Sequence, residues 1–367
     1  MLSVDIRKRL GTFDIDARFQ TDAAVSALFG QSGSGKTTIV NMIAGLVTPD
    51  EGRIELDGQV LFDSARRINV PVGKRRLGHV FQESRLFPHL TVRQNLTFAH
   101  WAGRRRGTRP LDEVVELLAI APLLERRPGR LSGGERQRVA IGRALLADPR
   151  VLLMDEPLAS LDQARKAEIL PYLDRLRREA GIPIVYVSHA LDEVARLAET
   201  LVIVSGGRIM ASGPLAEIMT RLDLGPATGR HEAGGVLEGV ISGFDARWGL
   251  HHLDIEGRRL EVPALKADVG DRVRLRIRAR DVAIALEKPA GLSIRNMLDV
   301  EIIEITEETG PYAEVLCALG EQRLRARLTR ASVVELGLAP GLRVQALVKS
   351  IAVDRPLVIA GGEAAPL

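Results

Sequence analysis

Cysteine is almost missing from the 367 residues: Cys317 stands alone. A single thiol excludes an intramolecular disulfide framework and any structural zinc site built on several thiolates. It fits a reducing compartment, with the residue itself read as a small buried apolar side chain. Aromatics make up only 4% of the chain, so a base-stacking surface would be thinly supplied. No stretch approaches the roughly 18 uninterrupted apolar residues that a spanning helix needs. The opening MLSVDIRKRL has no apolar core of signal-peptide length. A net excess of either charge is nearly absent too. Lys and Arg total 51 against 47 Asp and Glu, a net +4 that gives no reason to expect a nucleic-acid partner. What is present is ordinary: 46% hydrophobic and 27% charged residues exclude wholesale disorder. The length allows roughly two to three domains at about 150 residues each. A soluble, cytoplasmic chain of more than one domain is expected.

The first two-thirds alternates short apolar runs with helical patterns. Ala24 to Leu28, Val151 to Met154, Ile184 to Val187 and Leu201 to Val204 read as buried parallel strands. Arg136 to Leu146 and Arg165 to Arg178 read as helices between them. This alternation predicts an α/β domain with a largely parallel sheet. The Gly-rich stretch Gly225 to Gly235 reads as a linker. Beyond it, Arg272 to Ile277, Glu314 to Leu319 and Arg343 to Val348 alternate as half-buried antiparallel strands do. The stretches beginning at Gly270 and Gly341 match in spacing and apolar phase, and each is followed by an apolar run, Val282 to Ile284 or Ile351 to Val353. Two related β-subdomains are the simplest reading; chance likeness of two alternating strands is the other.

Three motifs carry chemistry. Gly30-Gln31-Ser32-Gly33-Ser34-Gly35-Lys36-Thr37, followed by Thr38, fits the phosphate-loop pattern between a strand and a helix. Its glycines let N–H groups turn toward phosphates at a helix N-terminus. Lys36 would reach the β- and γ-phosphates, and the Thr37 hydroxyl would ligate Mg²⁺. Val151 to Met154 ends in Asp155 and Glu156. At the carboxyl end of a parallel strand, Asp155 would hold Mg²⁺ and Glu156 would polarise an attacking water. Ser132, Gly133 and Gly134 open a helix whose free N–H groups suit an anion. The basic runs Lys74-Arg75-Arg76 and Arg104-Arg105-Arg106 read as solvated loops.

Together these residues resemble the ATP-binding cassette (ABC) ATPases over about residues 1 to 224, with Leu131 to Gln137 matching the family signature. The resemblance implies ATP and Mg²⁺ as cofactors. It implies a glutamine-loop role for Gln82, beside Mg²⁺ and γ-phosphate, and a switch role for His189. Ala159 to Asp162 resembles the D-loop. Two cassettes of the family pair head to tail, with each ATP between one phosphate loop and the partner's counterpart of Ser132 to Gly134. Glu156 would serve as general base or water-positioning group. Leu10 occupies the place where the family usually carries an aromatic, with Phe13 three residues on; an apolar rather than aromatic contact with adenine is expected, and loose base selectivity.

Phe87 to Val92 and Asn95-Leu96 resemble the importer segment that docks on a permease. In the tail, Ser293, Arg295, Lys349 and Ser350 match the motif positions of the molybdate-binding "mop" barrels, which resemble oligonucleotide-binding folds. Hydroxyls and a basic pair suit a dianion; a purely structural barrel is the other reading. The expected fold class is therefore an α/β P-loop NTPase, with a RecA-like core and helical subdomain, followed by an all-β, OB-like domain of two subdomains. The expected bounds are 1–228 for the cassette, 229–290 for the first β-subdomain and 291–355 for the mop-type one. The resemblance implies a homodimeric ATPase subunit of a molybdate (or tungstate) importer at the cytoplasmic face of the membrane. It would work with transmembrane permease subunits and a periplasmic or extracellular oxyanion-binding protein. A sulfate or ferric-chelate importer ATPase and a molybdate-sensing regulator are the alternatives. The regulator should carry a DNA-binding helix-turn-helix, and none is apparent.

Overall fold

A computed structural model describes residues 1–102, 109–159, 161–224, 233–263, 265, 267–307, 310–350 and 354–359. The run Arg104 to Arg106, most of the linker (225–232) and the apolar run 351–353 lie outside the described residues. The chain divides into two compact units, Met1–Gly213 and Pro214–Leu367. This division falls earlier in the sequence than residue 228. The helix Leu215–Thr220 packs on strands Gly234–Asp245 and Gln322–Thr329 of the second unit.

Among the described residues, the first unit is built on a mixed eleven-stranded sheet. Its functional half is parallel. Strand Val25–Phe29 pairs with Ile184–Ser188, that strand with Val151–Asp155, and that one with Leu77–Val80. The first three strands are buried at every position, as expected where helices cover both faces. The expectation of a largely parallel sheet needs correcting for the other half. Leu2–Leu10, Phe13–Thr21, Glu51–Leu56 and Gln59–Asp63 form an antiparallel arm. Alternation explains it: Val4, Ile6, Ile15 and Ala17 are buried while their polar neighbours face water. Among the described residues no helix is long and apolar enough to cross a membrane.

Among the described residues, the second unit holds two five-stranded antiparallel sheets. Strands Arg272–Arg278 and Arg343–Val348 occupy matching places, as their sequence likeness suggests. Each long partner strand carries a bulge at the same point, between Ile241 and Gly243 in one and between Ile302 and Glu304 in the other. The backbone bonds match as well: Gly270 N–H donates to Ile241 O, and Gly341 N–H to Ile302 O, both at 2.8 Å. The halves are interlocked rather than consecutive. Val282–Ala285, which follows the first copy, pairs with Arg343–Val348 in the second sheet. Asp354–Ile359, which follows the second copy, pairs with Arg272–Arg278 in the first. One core serves both sheets, joining Leu237, Leu253 and Leu275 to Leu298, Val315 and Cys317.

Candidate nucleotide site and tail site

Four neighbouring parallel strands end where the chemistry gathers. Phe29 leads into the phosphate loop, Ser188 into His189, Asp155 into Glu156 and Val80 into the segment bearing Gln82. That is the carboxyl edge where open α/β sheets take ligands.

The phosphate loop needs its glycines for stated reasons. A Cβ on Gly30 would stand 2.1 Å from the Val204 carbonyl oxygen. Gly33 and Gly35 adopt φ of +79° and +103°, conformations that glycine takes at little cost. The Lys36 ammonium donates to the carbonyls of Gly30 (2.8 Å) and Gln31 (2.9 Å) and stands 3.7 Å from Glu156. It folds over the loop as a phosphate-binding lysine would. Burial pushes its pKa down, with Glu156 and Asp155 opposing that shift. Thr37 Oγ1 donates to Asp155 Oδ1 at 3.0 Å. Asp155 is buried, and desolvation raises its pKa despite the Thr37 bond. A buried carboxylate with a single hydroxyl partner invites a hard cation.

Gln31, Ser32 and Thr37 are exposed, and Ser34 is buried with Thr38 half-buried. Exposed Gln82 borders a cleft of about 860 Å³ with Thr37, Asp155, Gly133 and Gln137. The cleft therefore brings the glutamine residue to the two expected cation ligands. Glu156 sits at φ +46°, a strained conformation of the kind found at functional sites. Its N–H is pinned to Val187 O at 3.0 Å. Its carboxylate meets His189 Nδ1 at 3.0 Å.

Ser132 caps the helix Gly133–Leu146 in a reciprocal box. Glu135 N–H donates to Ser132 Oγ (3.2 Å), and Ser132 N–H donates to Glu135 Oε2 (2.6 Å). As an acceptor there, the hydroxyl keeps its own proton free for an anion. A methyl on Gly133 would come within 2.9 Å of Leu161, and one on Gly134 within 3.1 Å of Ile169. Packing is thus a second reason for these glycines. Asp162 caps the helix Gln163–Glu179, accepting from Arg165 N–H at 2.9 Å. Ser160 of the D-loop segment lies outside the described residues.

One expectation changes, that for Arg75, and Phe13 is found beside the loop. Leu10 is 42% exposed. A methyl on Gly35 would come within 3.3 Å of the Phe13 ring. The run Lys74-Arg75-Arg76 is not a solvated loop throughout. Lys74 and Arg76 are exposed, but Arg75 is 1% exposed. It donates to Met42 O (2.9 Å), Ile43 O (2.7 Å), Val70 O (2.8 Å) and Asn69 Oδ1 (2.9 Å). It thereby satisfies carbonyls at the end of the phosphate-loop helix Lys36–Ala44. Sequence reading also missed the partnership of Arg75 with Gly45: a Cβ there would sit 2.6 Å from the guanidinium.

In the tail, Ser293, Arg295 and Lys349 are exposed and Ser350 is half-buried. Asn296 pairs with Val348 across neighbouring strands, which places Arg295 and Lys349 at the same end of that pair. Arg295 Nε donates to Glu261, a residue that the sequence did not single out. That contact holds the Glu261 carboxyl below its usual range. Buried Asn296 ties the site together. Its Oδ1 accepts from Glu261 N–H (2.6 Å), and its Nδ2 donates to Glu261 O (3.0 Å) and Ser350 Oγ (3.3 Å).

With this geometry in place, similarity to known proteins decides the family. The ABC transporter family model matches residues 15–159, and the TOBE domain model matches 292–354. The molybdenum import ATP-binding protein ModC of Paramagnetospirillum magneticum is 51% identical over 97% of this chain and 98% of its own. The chain belongs to the ModC family of ABC transporter proteins. The ModC of Mesorhizobium japonicum is 52% identical over 98% of this chain and 97% of its own. The solved structure of cbiO1 from Clostridium perfringens, part of an ABC transporter complex, matches with a TM-score of 0.50 at 24% identity. It covers 62% of this chain and 96% of its own; at that identity it speaks for the fold alone. Both parts of the ModC-family architecture, cassette and β-rich tail, are thus present in one chain.

Proposed function

We propose that this protein is the ATP-hydrolysing subunit that energises molybdate import through a membrane permease. The observation that carries the ATPase reading is the convergence of Lys36, Asp155, Glu156 and His189 at the ends of adjacent strands. ModC-family identity across nearly the whole chain, tail included, supports molybdate as the cargo.

Lys36 and the loop N–H groups hold the phosphates of ATP. Glu156 orients the attacking water. His189, held against Glu156, faces the γ-phosphate and adds hydrogen bonds as charge develops. Thr37, Asp155 and Gln82 would supply the oxygen donors for Mg²⁺, which when bound would neutralise phosphate charge. Among the described residues no group of three or more His, Cys, Asp or Glu is placed to hold a metal.

Two cassettes pair head to tail, so that Ser132, Gly133 and Gly134 of one close over the ATP of the other, with Asp162 at the same interface. The protein docks at the cytoplasmic face of the membrane through the segment around Phe87 to Asn95, and an extracytoplasmic binding protein delivers the oxyanion. In the tail, Ser293, Arg295, Lys349 and Ser350 bind the dianion, with Asn296 and Glu261 arranging two of them.

Glu156→Gln is expected to abolish ATP hydrolysis while ATP still binds; hydrolysis at the wild-type rate would refute the role of Glu156. Calorimetry of the full chain with molybdate, tungstate and sulfate tests the tail. The whole chain is needed because the two sheets share one core. Heat with molybdate and none with sulfate is expected; no heat with any of the three would remove the tail site.

A further inference from the structure

A buried network lies behind His189 that hydrolysis as described above does not use. Glu193 is 4% exposed. It belongs to the helix Leu191–Leu197. Three donors from two other elements converge on it. Tyr186 Oη donates at 2.8 Å and Ser188 Oγ at 2.9 Å, both from the strand that delivers His189. Lys166 Nζ donates at 2.8 Å from the helix that Asp162 caps.

Each arm ends at a site residue. Ser188 Oγ also accepts from Ala190 N–H at 3.0 Å, so its hydroxyl braces the backbone on both sides of His189. Lys166 N–H donates to Asp162 O at 2.9 Å. Leu161, next to Asp162, packs against Gly133 of the signature helix. A continuous chain of contacts thus runs from Glu156 through His189, Ser188, Glu193 and Lys166 to Asp162.

A buried ion pair is a poor source of net stability, because desolvation offsets its attraction and apolar packing can do as well. What such a network supplies is fixed geometry, since three donors from two elements converge on one carboxylate.

We propose that Glu193 is a positioning residue for ATP hydrolysis: it locks the His189 turn to the helix that Asp162 caps, so that both halves of the composite site keep one register. This rests on the reading of Glu156 and His189 as the hydrolytic pair. Lys166 and Glu193 touch no nucleotide in it; they act through Ser188 and Asp162.

The test uses the full chain and steady-state ATP hydrolysis. Lys166→Met cuts the arm toward Asp162 at a partly exposed position, 17% exposed at the side chain. It is expected to lower kcat by about tenfold, as displaced catalytic groups do, while KM for ATP stays within about twofold. Lys166→Arg, which keeps the charge and a donor, is expected to restore most of the loss. Glu193→Ala cuts both arms and is expected to lower kcat at least as far. Joined with Ser188→Ala, Lys166→Met should show less than additive losses, because both report on one acceptor. Wild-type kcat in Lys166→Met, or a drop in melting temperature alone, would overturn the proposal. Glu156→Gln runs beside these variants. Wild-type hydrolysis in Glu156→Gln overturns the hydrolytic reading and the proposal together; an inactive Glu156→Gln beside a fully active Lys166→Met overturns the proposal alone.

Discussion

Arg75 gives the most direct check on how the cassette is held. It is 1% exposed and donates to three backbone carbonyls and the Asn69 side chain. Replace it with leucine. Met42 O keeps its bond from Gly45 N–H at 3.1 Å, so that carbonyl is not stranded. Ile43 O and Val70 O lose the guanidinium, and a buried carbonyl left unsatisfied costs about 1–3 kcal/mol. Loss of a cation at a helix C-terminus costs about 0.3–2 kcal/mol more. The leucine regains about 1.5–3 kcal/mol by apolar burial. The net expectation for Arg75→Leu is a loss of about 3 kcal/mol. For a unit of this size that is about 6–12 °C in Tm. Urea titration of the full chain, followed by circular dichroism, measures it against wild type. The helix at stake begins at Lys36, so weaker ATP binding should accompany the loss. Arg75→Lys should rescue little, because an ammonium cannot reach carbonyls spread around a planar fork. A loss below about 1 kcal/mol would refute the reasoning, since it would mean that water reaches these carbonyls as well as the guanidinium does.

Phe13→Ala is expected to raise the KM for ATP by about three- to tenfold, the scale of one aromatic contact, whereas Leu10→Ala should change it little; the reverse order would return the base contact to Leu10. Burial pushes the His79 imidazole down to about 4. Unfolding exposes it to protons below about pH 6.5. The unfolded state then binds more protons, so the stability that neutral His79 contributes is full above that pH and is lost as pH falls toward 4. His79→Phe should flatten the drop in urea midpoint between pH 7.5 and 5; parallel pH profiles for the two proteins would refute this.

Much of the nucleotide site was legible in the chain because its chemistry is local. Gly30 to Thr38 are consecutive, and the turn from strand to helix that they require is written in their glycines. Val151 to Met154 reads as a strand ending in two carboxylates, and the structure gives Val151–Asp155. Ser132 and Glu135 lie three residues apart, so their capping box is also a local matter. Partners distant in sequence could not be read this way. Lys166 and Glu193 are 27 residues apart, and Arg295 and Glu261 are 34 apart. Arg75 looked like any surface arginine, because its neighbours Lys74 and Arg76 are solvated and its acceptors are backbone carbonyls, which carry no sequence signature. The antiparallel arm is harder to read than the parallel strands, because Leu2–Leu10 alternates buried and exposed residues instead of forming a continuous apolar run.

The tail shows the same division most sharply. The likeness between the stretches at Gly270 and Gly341 pointed to two copies of one pattern, and alternation marked their strands. Which sheet each following strand would join is not encoded in either copy, since Val282–Ala285 and Asp354–Ile359 could each have closed its own half. Tertiary packing decided the exchange, because a single core closes over both sheets when each half completes the other. By itself the sequence determined the groups that meet phosphate, since those depend on neighbours a few residues apart. The positions of Arg75, Glu193 and Glu261 were decided only by the fold, because a buried charge goes where distant backbone and side chains can satisfy it.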